Sequence, residues 1–405
     1  MAARSILAAL TRNARVGEKR VLFRSFSSTN TIELVCEDSP IRLVVENGTA
    51  GEEEQDDLKD RIFRLRLPKR SATHVIQKWV DEGRRVAVSD LRHISQELRK
   101  SRRYKHALEI SEWMVAHNDN EISDTDYAVR IDLMTKVFGI DAAERYFEAL
   151  PDSAKTSETY TALLHSFAST RLTDKAEELY ERMKEANVSL TILTYNELLT
   201  LYMSVGQLEK VSPLIRELKS QNVSPDIFTY NLWISSCAAS LKIDEVRRIL
   251  DEINLDHGFD GQWKRYVNLV NIYISSSHLV NSESVSLVET EKGQITQREW
   301  ITYDFLIILY GGLGNKEKLD QVWKSLTMTK QKMTSRNYLC IISSYMMLGH
   351  IREVREIVDQ WKKSSGVEFD GSKLVDACSD IGLKEKAMDL HNIFAEKAPD
   401  FLDKK

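Results

Sequence analysis

Six prolines and sixteen glycines in 405 residues are few interruptions for a chain this long. Such scarcity leaves little room for a loop-rich fold and suits helices joined by short turns. Cysteine is equally thin. Cys36, Cys237, Cys340 and Cys378 have no CxxC spacing, which argues against a disulfide framework or a zinc site and for buried thiols in a reducing compartment. No run approaches the roughly 18 to 20 apolar residues of a membrane span, so no membrane partner is expected. Nine histidines show no HExxH pairing, and Gly314-Asn315-Lys316 lacks the upstream glycine spacing of a phosphate loop. These absences exclude the common metal, nucleotide and disulfide chemistries. No cofactor and no enzymatic activity are expected.

What the chain has is a period. Tyr127, Tyr160, Tyr195, Tyr230, Tyr266, Tyr303 and Tyr338 recur at intervals of 33, 35, 35, 36, 37 and 35 residues. Most head an i, i+3, i+4, i+7 apolar face, as in Tyr195-Leu198-Leu199-Tyr202 and Tyr303-Leu306-Ile307-Tyr310, the pattern of one side of a helix. A second amphipathic stretch follows each, for example Ala176-Leu179-Tyr180-Met183 and Val354-Ile357-Val358-Trp361. Gly206, Gly314 and Gly349 fall between the two, where a left-handed residue closes a helix. The unit is therefore helix–turn–helix, and neither helix can hide its stripe alone, so stacking is obligatory. The aromatic set reads as core, and the scattered Lys and Glu of the second helices read as a solvated face.

Two places are weaker. The second helix expected between Ser276 and Gln294 is serine-rich with a thin seam of Val285 and Val288. Pro213 falls inside a second helix, where it is expected to kink the element.

Charge is uneven. Residues 1–26 hold six cations against Glu18, a balance of +5, so the formal −5 of the whole leaves −10 for the rest. That basic leader, with Ile6, Leu7 and Leu10 on one helical side, has the pattern of an import presequence. Its end, Arg24-Ser25-Phe26-Ser27-Ser28, resembles plant mitochondrial cleavage sites, which implies residence in the mitochondrial matrix. Residues 27–60, with the Glu52–Asp57 acidic run, read as a disordered linker, and 61–87 as a starting region with Val75, Ile76, Trp79 and Val80 on one helix side.

Residues 192–226 open Ile-Leu-Thr-Tyr-Asn, carry Gly206 mid-unit and close Val223-Ser224-Pro225-Asp226, and Ile227-Phe228-Thr229-Tyr230-Asn231 opens the next unit alike. A tetratricopeptide repeat would need glycine where Leu199, Ile234, Val270 and Ile307 stand. The pattern instead resembles the 35-residue pentatricopeptide repeat of plant organellar proteins, in the pure-repeat class and a short divergent mitochondrial subgroup. In that register the units are 88–123, 124–156, 157–191, 192–226, 227–262, 263–299, 300–334 and 335–370, with 371–405 a partial repeat and tail.

The resemblance implies an all-α, right-handed superhelical solenoid whose inner face holds single-stranded RNA, one base per repeat, read by the fifth and last residues of each unit. It assigns Asn196 with Asp226 to such a pair, flanked by Leu193 and Phe228. Thr161 with Thr191 and Asn231 with Gln262 (or Asp260) make two more. Lys100 and Lys136 fall at the thirteenth position, near the phosphates. The other pairs, Arg92/Ser123, Ala128/Thr156, Val267/Glu299, Asp304/Thr334 and Leu339/Asp370, depart from the pattern, since Ala, Val and Leu cannot hydrogen-bond a base. Degenerate pairs and acidic balance leave a second expectation open: a protein-interaction scaffold, such as a component of the mitochondrial ribosome. The family's editing members carry HxE and PCxxC motifs; beyond residue 370 only His391 and Cys378 remain.

Overall fold

A computed structural model describes residues 57–65, 71–117, 122–257, 261–276, 297–329, 333–364 and 370–395. The leader, residues 27–56 and the expected Val285–Val288 helix lie outside the described residues. Among those described there is no strand. They fall into two units, divided between Leu201 and Tyr202.

The N-terminal unit begins with α1 (Leu58–Phe63) and α2 (Ala72–Asp81). Helix therefore begins at Leu58, inside the stretch expected to be linker, because Asp57 accepts a hydrogen bond from the Lys59 N–H and caps the first turn. Of the four apolar residues on one side of α2, Ile76 is fully buried and Val80 exposed. Three hairpins follow. They are α3 (Val88–Lys100) with α4 (Tyr104–His117), α5 (Asp124–Phe138) with α6 (Ile140–Glu148), and α7 (Ser157–Thr170) with α8 (Thr173–Glu185). The first part of α9 (Ile192–Val205) completes the unit.

The C-terminal unit holds the end of α9, then α10 (Val211–Ser220), α11 (Ile227–Ala239), α12 (Ile243–His257) and α13 (Gly261–Ser276). Beyond residue 296 come α14 (Gln297–Leu313), α15 (Lys316–Met328), α16 (Ser335–Leu348), α17 (Ile351–Lys362), α18 (Ser372–Asp380) and α19 (Lys384–Ala395). Helices α3, α5, α7, α9, α11 and α16 start at the first residues of their units. Helices α13 and α14 start two and three residues ahead of 263 and 300.

The heptad seams are the core. Tyr195, Tyr266, Leu199, Ile234, Val270 and Ile307 have no accessible surface, and Ala176, Leu179, Val246, Ile249, Leu319, Val322, Val354 and Val358 are buried on the second helices. Aromatic rings link them edge to face, Phe147 on Tyr160 at 4.8 Å and Tyr180 on Tyr195 at 6.1 Å. Cys237, Cys340 and Cys378 are free and buried. Gly206, Gly314 and Gly349 adopt φ of 81°, 75° and 78°, the left-handed closure their turns require.

Pro213 does not kink a helix. It is the third residue of α10, after a 3-10 turn at Leu208–Lys210. The first turn has no intrahelical acceptor for its N–H groups, so a missing N–H there costs nothing.

Candidate nucleic-acid interface

In the N-terminal unit the first helices α3, α5, α7 and α9 run parallel, joined by polar contacts between residues 31 to 34 apart. Arg92 grips Asp126 through Nε at 3.0 Å and Nη2 at 2.8 Å. Arg99 Nη2 reaches Asp132 at 3.4 Å, and Lys136 pairs with that same carboxylate. Thr125 donates to Glu158 at 2.8 Å and Thr135 to Ser166 at 2.9 Å. The Thr161 and Thr194 hydroxyls meet at 3.0 Å, and His165 Nδ1 lies 3.0 Å from Glu197 Oε2. The residues form one stripe per helix at i, i+3, i+4 spacing: Arg92, Gln96 and Lys100; Thr125, Ala128, Asp132 and Lys136; Glu158, Thr161, His165 and Ser169. All of these but the buried Thr161 are exposed or half-buried.

Electrostatics hold the ladder charged. Burial works against the Asp132 charge, yet Lys136, Arg99 and His165 keep its carboxyl below the usual carboxylate range. Burial likewise opposes Asp126, and the Arg92 hydrogen bond and the Ser123 backbone outweigh it. Burial also disfavours a charged His165, but Glu197 and then Asp132 raise its pKa above the ordinary imidazole value.

The last residue of a unit has a local duty. Ser123, Thr156, Asp226 and Thr334 each precede a first helix and share a capping box with the residue three further on: Asp126, Thr159, Thr229 and Asn337. Asp226, an exposed residue, accepts from the Thr229 N–H and hydroxyl, both at 2.7 Å. Thr191 stands just before α9 with its hydroxyl 3.4 Å from that of Thr194.

The other expected site residues divide between the units. In the first, Thr161 and Asn196 are buried and Leu193 is half-buried. Lys100 is exposed and pairs with Glu97 at 3.2 Å. Lys136 is already paired. It is held by Asp132 and sits 5.1 Å from the Tyr104 ring centroid. In the second unit Phe228 is half-buried, Gln262 exposed and Asn231 buried, with Asn231 Oδ1 accepting from the Tyr266 hydroxyl at 3.2 Å. Asp260 and the Glu299 side chain lie outside the described residues.

Sequence reading missed Asp132, His165, Glu158, Glu197 and Thr194. The signal was present as polar residues recurring one repeat apart, but it carries no sign until the helices are known to lie side by side. Among the described residues no group of His, Cys, Asp or Glu could hold a metal ion. None of the described helices is long and apolar enough to cross a membrane.

Stacked helical hairpins with a capped first helix and a left-handed turn define a helical-repeat protein. Residues 190–239 match the PPR repeat family, residues 157–202 the pentatricopeptide repeat domain and residues 228–255 the PPR repeat. A mitochondrial pentatricopeptide repeat-containing protein of Arabidopsis thaliana is 54% identical over 346 residues, 84% of each chain. Another mitochondrial one from the same plant is 32% identical over 345 residues, 84% of this chain and 70% of its own. The chain belongs to the pentatricopeptide repeat family. Among solved structures it is similar to the pentatricopeptide repeat protein PPR10 in complex with an 18-nt psaJ RNA element, at 17% identity and a TM-score of 0.36, over 83% of this chain and 57% of that one.

Proposed function

We propose that this protein binds single-stranded RNA of the mitochondrion without turning it over, and acts on a transcript by shielding it, remodelling it or recruiting other factors. The observation that carries the reading is the open polar stripe on the parallel helices α3, α5 and α7, whose donors and acceptors suit base edges and ribose hydroxyls. Family membership and the mitochondrial names of its relatives support it. So does the basic leader of the sequence. Asn196 is the residue proposed to face a base in the N-terminal unit.

Affinity would come from hydrogen bonding and stacking more than from counterion release. Arg92, Arg99 and Lys136 each already face a carboxylate. Log affinity should then fall with log salt at a slope no steeper than about −2, where each neutralised phosphate of a single strand contributes about −0.7. The same neutralised ladder favours a second reading, a scaffold that docks a protein, with the mitochondrial ribosome as the partner to test.

The experiment is crosslinking in purified mitochondria, with attached RNA sequenced and attached proteins identified together. Enrichment of a discrete transcript supports the first reading. Recovery of ribosomal proteins with ribosomal RNA alone supports the second and overturns the first.

A further inference from the structure

The first helices of the C-terminal unit carry the same stripe positions as those of the N-terminal unit, but the stripe is closed. On α14 it comprises Ile301, Asp304, Ile308 and Gly312, all buried, and on α16 the buried Leu339 and Ser343 between the half-buried Arg336 and Met347. Asp304 is fully enclosed.

The cover is α13. Its residues meet α14 in reverse order. A Cβ at Gly312 would stand 2.8 Å from Tyr266 Cβ, and one at Gly311 would stand 3.0 Å from Leu269 Cδ1. Tyr273 donates to Asp304 at 2.9 Å and packs edge to face on Phe305 at 5.3 Å. Helices α13 and α14 are therefore antiparallel, whereas α14 and α16 are parallel: Asp304 meets Arg336 and Asn337, and Gly311 meets Ser344. Helix α13 also packs against α16 and α18. Gly312 lets it approach this closely, since a side chain there would meet the Cα and Cβ of Tyr266. An α-helix thus lies across the face that the RNA-binding reading assigns to a nucleic-acid strand.

We infer that single-stranded RNA engages only the stripe of the N-terminal unit, and that the C-terminal unit is a closed helical body in which α13 occupies the corresponding face. This rests on the RNA-binding reading proposed above and narrows it. Asn231, Asp304 and Leu339 then serve packing rather than base recognition. At one base per repeat, helices α3, α5, α7 and α9 set a footprint of about four nucleotides.

The test is ultraviolet crosslinking of the full-length protein to a uridine-rich 12-nucleotide RNA, with crosslinked peptides mapped by mass spectrometry. Affinities are measured in parallel for oligonucleotides of 4, 6, 8 and 12 nucleotides. Crosslinks confined to residues 88–201, with affinity rising less than about threefold beyond 6 nucleotides, support the inference; such a rise needs only extra binding registers. Crosslinks on α14 or α16, or a rise of about tenfold or more between 6 and 12 nucleotides, overturn it and leave the RNA reading standing. Absence of binding at every length removes both. Amide exchange on the RNA complex adds a separate check, because faster exchange across Tyr266–Tyr273 would mean that α13 yields to RNA and is not a fixed cover.

Discussion

His165 Nδ1 and Glu197 Oε2 lie 3.0 Å apart across the gap between α7 and α9, with Asp132 of α5 adding its charge from the other side. This triangle ties three successive first helices, and it titrates. Because the folded pKa of His165 is raised above its unfolded value near 6.5, its stabilisation is complete below that value. It is lost as pH rises through the folded pKa. Urea denaturation of the N-terminal unit, followed by amide exchange at Phe167 and Leu198, should show stability falling as pH climbs above about 6.5. His165→Gln should flatten that limb of the profile. An unchanged slope in the variant would dissociate His165 from the effect.

Asp226 separates capping from recognition. Asp226→Ala removes the cap of α11 and should cost about 1 kcal/mol in chemical denaturation, while Asp226→Asn, an equally good cap, should leave stability near that of the parent. Base preference should be unchanged in both, because Asp226 stands in the C-terminal unit. A loss shared by both variants would belong to the carboxylate and would carry the RNA contact beyond the N-terminal unit. Asn196→Ala in the N-terminal unit should weaken binding to an RNA with uracil at one position and spare the other base variants. Equal loss on all four bases would sink specific readout there.

Gly312 has no room for a side chain. Gly312→Ala places a methyl 2.8 Å from Tyr266 Cβ, and the overpacking should cost about 1–3 kcal/mol and speed exchange along α13. Gly349→Ala enters open space at φ 78° and should cost only the left-handed strain of about 1–2 kcal/mol, without affecting α13. Equal exchange profiles in the two variants would contradict the close approach of α13 and α14.

Asp304 is the charge that the closed unit buries. Burial pushes its carboxyl pKa up, while Arg336, Asn337 and Tyr273 work to keep it ionised. Asp304→Ala strands the Arg336 guanidinium, half-buried and aimed inward, and should destabilise the C-terminal unit by about 3–5 kcal/mol. The double variant Asp304→Leu with Arg336→Met should recover much of that loss, because it removes both charges together. A double variant no better than the single would show that the pair contributes through shape rather than charge.

The repeat and its hairpins were legible because burial has a period: Tyr195, Leu198 and Leu199 recur one unit on as Tyr230, Trp233 and Ile234, and each set is core. Caps were legible too, since Pro225-Asp226 announces a helix start to neighbours only three residues away. The site was less so. Lys136 has the family's thirteenth-position charge, but the partner that claims it, Asp132, lies one turn back on the same helix face and is also gripped by Arg99 of another helix. Pro213 misled for a local reason, because a 3-10 turn delayed the start of α10.

By itself the sequence determined which residues are core, where the chain turns and that its helices come in pairs, since these follow from local propensity and from the spacing of apolar side chains. An apolar stripe, however, packs equally well against a parallel or an antiparallel neighbour. Only the tertiary structure decided that α3, α5 and α7 lie parallel and leave a polar edge open, while within the C-terminal unit α13 reverses against α14 and covers its stripe.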